Sequence, residues 1–197
     1  MTIRSVLTAA ALFATIYASV PNRAKVTTKA VKFGVTFYTS AEMQPILECI
    51  EPQLYTDPND TSTLISTAEN CVINNSASKA VTALSLYSSF NSCTNLDDLI
   101  AKLETPFLTI TKTLINKCLK KLDTCIKTNT KTGTAKQNAC INKMYGVGLA
   151  IVTKSAVNTY CTKLAAYMNS TEWNCCKTYA PQVVNVALYK CYNITKS

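Results

Sequence analysis

The chain has 197 residues, its 20 basic and 11 acidic side chains give a net charge of +9, and 48% of its residues are apolar. It holds ten cysteines and no histidine, which excludes Ser-His-Asp and Cys-His catalysis and any zinc site that needs histidine. We therefore expect no catalytic residue, no metal and no cofactor, and a protein that is not an enzyme.

Residues 1–18 have the pattern of a secretory signal peptide. Arg4 supplies the positive charge, and Val6 to Tyr17 form an apolar segment too short to span a bilayer. Ala18 is the expected cleavage position, and the alternative is an uncleaved anchor. No later segment reaches the roughly 18 uninterrupted apolar residues of a membrane-spanning helix. We therefore predict a secreted, extracellular protein without a transmembrane segment.

Residues 19–38 follow as a basic N-terminal arm whose secondary structure the sequence leaves open. The alternation of apolar residues over 31–37 fits a strand, whereas Val26, Ala30 and Phe33 fit one face of a helix. The arm is interpreted either as a basic amphipathic segment for a membrane or partner, or as a segment packed on the helical domain, or as a removed pro-segment.

Residues 39–197 are predicted to form one all-α, cysteine-rich domain, a disulfide-stapled bundle of about seven helices. Thr39 and Glu42 have the spacing of a capping box at the start of the first helix, and Pro52 is expected to kink or end it. The apolar face of this helix comprises Met43, Ile46, Leu47, Ile50 and Leu54.

Two more helices are predicted before the middle of the chain. One follows Asp60, and its inward residues are Leu64, Ile65, Ala68, Cys71 and Val72. The next runs from about Ser78 to Phe90, and the expected buried face comprises Ala80, Val81, Leu84 and Tyr87.

The longest apolar pattern, from Leu96 to Ile126, predicts a short helix that begins near Thr94 and then a central helix that begins at Pro106. At about 100° per residue, the apolar residues of the central helix cover about half of its circumference. That sector comprises Phe107, Ile110, Leu114, Cys118, Leu122 and Cys125. A sector this wide contacts two neighbouring helices, so we expect Leu114 and Cys118 to be nearly fully buried.

Lys121 projects into the apolar sector of the central helix. Either its aliphatic part packs there while the ammonium group reaches solvent, or the ammonium is a counter-charge for an acidic amphiphile, such as a fatty acid, bound between helices.

The last third of the chain is predicted as a helix over 134–144, a glycine-containing break at 146–148 and a second helix over 149–168. Asn169 or Ser170 is expected to cap a final helix, which Pro181 interrupts.

All ten cysteines are expected to be in disulfides, with no free thiol, because so many cysteines are typical of a secreted chain. Cys118 and Cys125 are two turns apart on one helix, about 10.5 Å, which exceeds the roughly 7 Å limit between bridged Cα atoms. Adjacent Cys175 and Cys176 point about 100° apart and should also reach separate partners. The connectivity is otherwise open among Cys49, Cys71, Cys93, Cys118, Cys125, Cys140, Cys161, Cys175, Cys176 and Cys191.

Four sequons lie in predicted loops or near the terminus, which favours N-glycosylation of a secreted chain. The acceptor residues are Asn59, Asn74, Asn169 and Asn193.

Positive charge is concentrated in the second half of the chain. Residues 1–98 carry six basic and eight acidic side chains, whereas residues 99–197 carry fourteen basic and three acidic ones. The basic half is either a solvated surface or a face for an anionic lipid or glycan. Nucleic acid is not expected as a partner, because no arginine follows Arg23 and bidentate phosphate contacts are therefore absent.

Part of the cysteine spacing resembles that of insect secreted proteins with the tsetse EP-type domain. The similar gaps are those between Cys71, Cys93, Cys118, Cys125 and Cys140, followed after a long interval by Cys176 and Cys191. The resemblance covers residues 49–191 and gives no position to Cys49, Cys161 or Cys175. It implies a helical, extracellular protein, of a kind in which some members are linked to gut immune responses, and it implies no site residue.

The functional expectation is a secreted, non-enzymatic interaction protein of the host-defence or effector type, which acts through its surface or a small apolar cavity. The alternatives are a cationic membrane- or glycan-binding protein that uses residues 99–197, and a carrier of a small hydrophobic ligand.

The adjacent acids Asp97 and Asp98 do not indicate a glycosidase. They are better explained as charges in the first turn of a helix, where the helix dipole favours acidic side chains, than as a pair of catalytic carboxylates.

Overall fold

The computed structural model describes residue 20 and residues 22–32, 37–186 and 189–196. Within these residues the chain forms eight α-helices and no β-strand, which confirms the predicted disulfide-stabilised all-α fold. The predicted signal peptide, residues 1–18, lies outside the described residues. The helices in chain order are α1 (Arg23–Lys32), α2 (Ser40–Thr56), α3 (Thr61–Asn75), α4 (Ala80–Asn91), α5 (Leu96–Thr128), α6 (Gly133–Ile151), α7 (Lys154–Ala166) and α8 (Ser170–Tyr179).

The basic N-terminal arm is helical where it is described, and it packs on the bundle. α1 buries Val26, Thr27 and Ala30 against α2 and α6. Residues 33–36, at which the strand pattern was centred, lie outside the described residues.

A partly buried ionic cluster joins α1, α2 and α6. Arg23 Nε donates to Glu51 Oε1 at 2.9 Å, and a second nitrogen of the same guanidinium contacts Glu48. Glu51 is only 5% exposed, and the fully buried Tyr145 hydroxyl donates to it at 3.3 Å. The hydrogen bond with Glu51 raises the pKa of Arg23, which stays charged as a partner for this carboxylate.

α2 begins as predicted, but it does not end at Pro52. The Thr39 hydroxyl accepts from Glu42 N at 3.2 Å, and Thr39 N donates to the Glu42 carboxylate at 2.8 Å, so the capping box is confirmed. The predicted apolar face is buried throughout. Of the two outcomes predicted for Pro52, a kink or the end of the helix, the second does not occur, because α2 runs on to Thr56. Pro52 lies on the solvent face, where water can bond the carbonyl of Glu48 that loses its partner.

α3 follows Asp60, as predicted, and Asp60 caps it, since its side chain accepts from Thr63 N at 3.0 Å. Hydrogen bonds from Thr63 and Ser62 lower the pKa of Asp60 to about 2, because they favour its charged form. The inward face is confirmed for four of its five residues, and the fifth, Ile65, is half-buried.

The predicted buried face of α4 is wrong. Val81 is 79% exposed and Leu84 is 53% exposed, whereas the buried residues are Ala83, Leu86 and Phe90. α4 carries apolar residues on two sides, and it turns the second side inward because it packs against α8 and α5. Periodicity alone could not choose between the two sides.

The central helix is longer than predicted. α5 is one helix of 33 residues, about 50 Å at 1.5 Å per residue, and it runs through Pro106. Its N-cap is Asn95, which accepts from the backbone N–H groups of Asp97 and Asp98 at 3.1 and 3.2 Å. The predicted boundary at Pro106 is wrong, because the proline removes only the hydrogen bond to the carbonyl of Lys102, an exposed position.

α5 links separate apolar clusters. In its C-terminal half, Leu114 (5% exposed), Cys118 (4%) and Leu122 (0%) join the main core, built with α1, α2, α3 and α6. Near its N-terminus, Leu96 belongs to a second cluster with α4 and α8. The burial of Leu114 and Cys118 is confirmed, whereas Phe107 and Ile110 are half-buried.

The predicted glycine break in the last third is wrong. α6 continues through residues 146–148 to Ile151, and the chain breaks at Val152 and Thr153 instead. A glycine inside a helix costs about 1 kcal/mol relative to alanine, which tertiary packing outweighs here. The cap at Asn169 is confirmed, and a 3-10 turn over Ala180–Gln182 follows α8 at Pro181.

Four disulfides connect the helices, and the prediction that no thiol is free is wrong. Cys118, on α5, and Cys176, on α8, are unpaired. The expectation that Cys118 and Cys125 do not bond to each other holds, as does that for Cys175 and Cys176. The disulfides are Cys49–Cys71, Cys93–Cys175, Cys125–Cys140 and Cys161–Cys191.

Candidate functional site

A groove of about 730 Å³ runs along α7 and is the candidate binding site. Its lining residues are three lysines, three residues with hydroxyl side chains and one with an amide, and much of the surface that they present to the groove is aliphatic. The lining residues are Lys154, Ser155, Asn158, Thr159, Thr162 and Lys163 of α7 and Lys190 of the C-terminal segment. We refer to it as the α7 groove.

The start of α7 is set by local sequence. Val152 is fully buried and ends α6, and the next residue, Thr153, has extended backbone and caps α7. The Thr153 side chain accepts from Ala156 N at 3.1 Å. Val157 and Tyr160 of α7 pack against the main core, and Ala165 packs with Trp173 and Cys191 in a third apolar cluster, so the groove residues are left on the outward side of α7.

The groove residues occupy half of the circumference of α7. At about 100° per residue, Ser155 and Thr162 lie near the middle of this sector, and Lys154 and Lys163 lie at its two edges, about 180° apart. The arrangement places hydroxyl groups along the centre and an ammonium group on each side.

Lys190 is brought to the groove by the C-terminal segment. Asn158 holds this segment, since its Oδ1 accepts from Lys190 N at 2.6 Å and its Nδ2 donates to Lys154 O at 2.9 Å. The Cys161–Cys191 disulfide attaches a 3-10 turn over Lys190–Asn193 to the same helix. The third lysine is therefore held by a covalent and a hydrogen-bonded attachment.

The last lysine of the chain has a different role. Lys196 Nζ donates to the carbonyls of Ala165 and Met168 at the C-terminal end of α7. A cation at this end stabilises the helix dipole and satisfies carbonyl groups that have no partner inside the helix. Trp173 Nε1 also donates to Ile194 O at 3.0 Å, which holds the C-terminal segment over α8.

Among the described residues, no carboxylate lines the groove to neutralise its lysines. The sequence from residue 124 to the C-terminus contains one acid, Glu172, and its carboxylate lies 2.7 Å from the ammonium of Lys102. Lys154, Lys163 and Lys190 form no ion pair within the part of the chain that the structure describes. All three are exposed, so the groove presents uncompensated positive charge.

Lys121 is exposed on α5 and does not line the α7 groove. Its position agrees with the alternative in which the ammonium group reaches solvent. The side chains that line the groove are charged or polar, and the small apolar cavity expected from the sequence stays a prediction.

The four sequon asparagines are all exposed, so each position is sterically open to a glycan. Asn169 caps α8 through its Oδ1, which accepts from Glu172 N at 2.8 Å, and this contact does not use the amide nitrogen that carries a glycan. Glycosylation of Asn59, Asn74, Asn169 and Asn193 stays a prediction.

The two free thiols are not activated. Burial raises the pKa of Cys118 to about 11, and burial together with Glu172 raises that of Cys176 to about 11. The thiolate, which is the nucleophilic form, is therefore scarce at neutral pH. Among the described residues, no group of three or more Cys, Asp or Glu side chains could hold a metal ion.

The groove lies within the basic half of the chain, which was one of the features predicted from the sequence. The sequence pointed to residues 99–197 without selecting residues within them. A local signal was present, since Lys154 and Lys163 enclose a hydroxyl- and amide-bearing run on one helix. The contribution of Lys190 had no local signal, because it depends on the Cys161–Cys191 bond.

No described helix has the length and apolar content to cross a membrane. The four disulfides fit an extracellular protein. Comparison of the chain with protein-family models, with curated proteins and with solved structures finds no match. The resemblance of the cysteine spacing to tsetse EP-type proteins thus stays a prediction.

Proposed function

We propose that this protein is a secreted, non-enzymatic binding protein that holds anionic groups of an extracellular ligand in the α7 groove. The observation that carries the proposal is that Lys154, Lys163 and Lys190 line one open groove, with no carboxylate among its described lining residues. A surface lined by one sign of charge attracts ligands of the opposite sign. This choice favours the cationic alternative over an apolar carrier.

Secretion and glycosylation are part of the proposal. They are supported by the signal-like residues 1–18, by the four disulfides and by the exposure of the four sequon asparagines. A role in host defence or as an effector agrees with extracellular binding, and the identity of the ligand decides between them.

The proposal predicts that the groove lysines hold the protein on a polyanion more strongly than other lysines do. The full chain, secreted from a eukaryotic host, is loaded on dextran sulfate and eluted with a salt gradient. The Lys154→Ala/Lys163→Ala/Lys190→Ala variant should elute at clearly lower salt than the wild type, because all three positive charges of the groove are removed.

The matched control is Lys112→Ala/Lys120→Ala/Lys131→Ala, which removes the same charge from exposed positions outside the groove. It should elute close to the wild type. Equal shifts for the two variants would mean that net charge alone drives binding, and the groove would lose its proposed role.

A further inference from the structure

We infer that the ligand of the α7 groove is an extended sulfated polysaccharide that lies along α7. This inference rests on the proposed function and specifies its ligand class. Three features support it: the separation of the lysines, the hydroxyl face between them and the aromatic side chain at one end.

The lysines are too far apart to be matched well by one anion. Lys154 and Lys163 are nine residues apart, about 13.5 Å along the helix axis, and they lie on opposite edges of the groove face. A single sulfate or phosphate meets both only if both side chains bend across the face and cover the hydroxyl groups there. A chain with anionic groups on successive units contacts both lysines without that movement.

The face between the lysines fits a ligand with hydroxyl groups. Ser155, Thr159 and Thr162 are exposed there. Thr159 donates its hydroxyl proton to Ser155 O at 3.0 Å, so its oxygen is left as an acceptor toward the groove. A sugar hydroxyl can donate to this oxygen, whereas the ionised oxygens of a sulfate or polyphosphate cannot. The hydroxyl groups of Ser155 and Thr162 can donate to either kind of ligand, but only a sulfated sugar has the donors to use the Thr159 oxygen as well, which favours it over a simple polyanion.

The apolar surface favours a glycan over a membrane. The large exposed hydrophobic residues of the described chain are Ile73, Val81, Leu84 and Tyr167; none of them lines the groove, and Tyr167 is one helical turn beyond the lining residue Lys163. Tyr167 is 51% exposed and follows Lys163 by four residues, so it lies at the end of the same edge. One aromatic ring can stack on the apolar face of a sugar ring, but it is a small anchor for a bilayer, which usually receives a whole apolar helix face.

The first experiment compares ligands on the secreted, full-length protein at about 0.15 M salt, where distant surface charges are largely screened. The probes are a sulfated disaccharide, a sulfated hexasaccharide, the desulfated hexasaccharide, a polyphosphate of matched charge and vesicles with about 30% phosphatidylserine. We expect the hexasaccharide to bind at least about tenfold more tightly than the disaccharide, because only it spans the two edge lysines. We expect the other three probes to bind much more weakly than the sulfated hexasaccharide.

Three results would overturn the inference, and they separate it from the proposed function. Equal affinity for polyphosphate and sulfated hexasaccharide, lost in the Lys154→Ala/Lys163→Ala/Lys190→Ala variant, would keep the anion site and remove the sugar specificity. Tightest binding to vesicles would replace the glycan by a membrane. No groove-dependent binding to any anionic probe would contradict both proposals.

The second experiment tests the acceptor role of Thr159. Thr159→Val keeps the shape and removes the oxygen, and it should weaken hexasaccharide binding about fivefold, the effect of one hydrogen bond, while polyphosphate binding is unchanged. The control is Thr124→Val on α5, an exposed threonine with the same bond to the carbonyl four residues earlier, at 2.8 Å. Thr124→Val should change neither affinity. Unchanged or equally reduced affinity for both ligands in Thr159→Val would overturn the acceptor role.

Discussion

Leu114 is one of the residues through which α5 packs into the main core. It is 5% exposed and lies in the same apolar cluster as Leu122, Cys118 and residues of α2 and α6. We expect Leu114→Ala to lower the free energy of unfolding by about 2–5 kcal/mol, through lost burial and the cavity that remains. Chemical denaturation of the secreted protein measures this change.

Two further kinds of variant test this prediction: substitutions on the exposed side of α5, and a charged residue in place of Leu114. Lys112→Ala and Lys120→Ala, both exposed on α5, should stay within about 0.5 kcal/mol of the wild type. Leu114→Asp should prevent secretion, because it buries a carboxylate without a partner. Normal secretion of Leu114→Asp would show that this part of α5 is not in the core.

Pro106 destabilises α5, the longest helix, because it removes one hydrogen bond inside it. Its side chain is only half-buried, so a smaller side chain can replace it without leaving a large cavity. We expect Pro106→Ala to raise the free energy of unfolding by about 1–2 kcal/mol, since the restored bond and the better helix former outweigh the larger entropy of the unfolded chain.

The matched substitution is Pro181→Ala, in the 3-10 turn that follows α8, where proline suits the first positions. This variant should show no gain in the same denaturation experiment. A destabilised Pro106→Ala variant would mean that the proline ring fills a needed space, and the account of α5 as a continuous helix with one missing bond would have to change.

The helix ends show which elements the sequence could predict. The caps at Thr39, Asp60 and Asn169 depend on residues two or three positions apart, so a local pattern is sufficient. The joining of two predicted helices at Pro106 and the persistence of α6 through Gly146 depend on packing against other helices, which local propensity does not contain.

Four disulfides link the helices into a network, and Cys118 and Cys176 are not part of it. With alkylating reagent and no reductant, we expect no modification of the native protein, because burial raises the pKa of both thiols to about 11. After denaturation, mass spectrometry should find two modified cysteines per chain, located at these positions.

The variant Cys118→Ala/Cys176→Ala is the control, and it should take up no label in either state. An unlabelled wild type after denaturation would mean that all ten cysteines are oxidised and that the four-disulfide network is incomplete. Reduction of the native bridges should lower the melting temperature strongly, since a disulfide typically contributes about 2–4 kcal/mol.

Part of the candidate site could be predicted from the sequence. The excess of lysine after residue 98 is a property of composition and was visible directly. The assembly of Lys190 with Lys154 and Lys163 was not, because it requires the Asn158 contact and the Cys161–Cys191 bond. Lys121 was singled out by its helical angle, but the packing of α5 leaves it exposed.

By itself, the amino-acid sequence determined the all-α class, most helix starts and the burial of Leu114 and Cys118, since these follow from local periodicity and capping. The tertiary structure decided which side of α4 is buried, which eight cysteines pair and which lysines form the α7 groove. These features depend on contacts between residues far apart in the chain, such as Cys93 with Cys175 and Asn158 with Lys190. Helix periodicity limits which residues can face inward, but only the packed arrangement of helices determines which neighbours they meet.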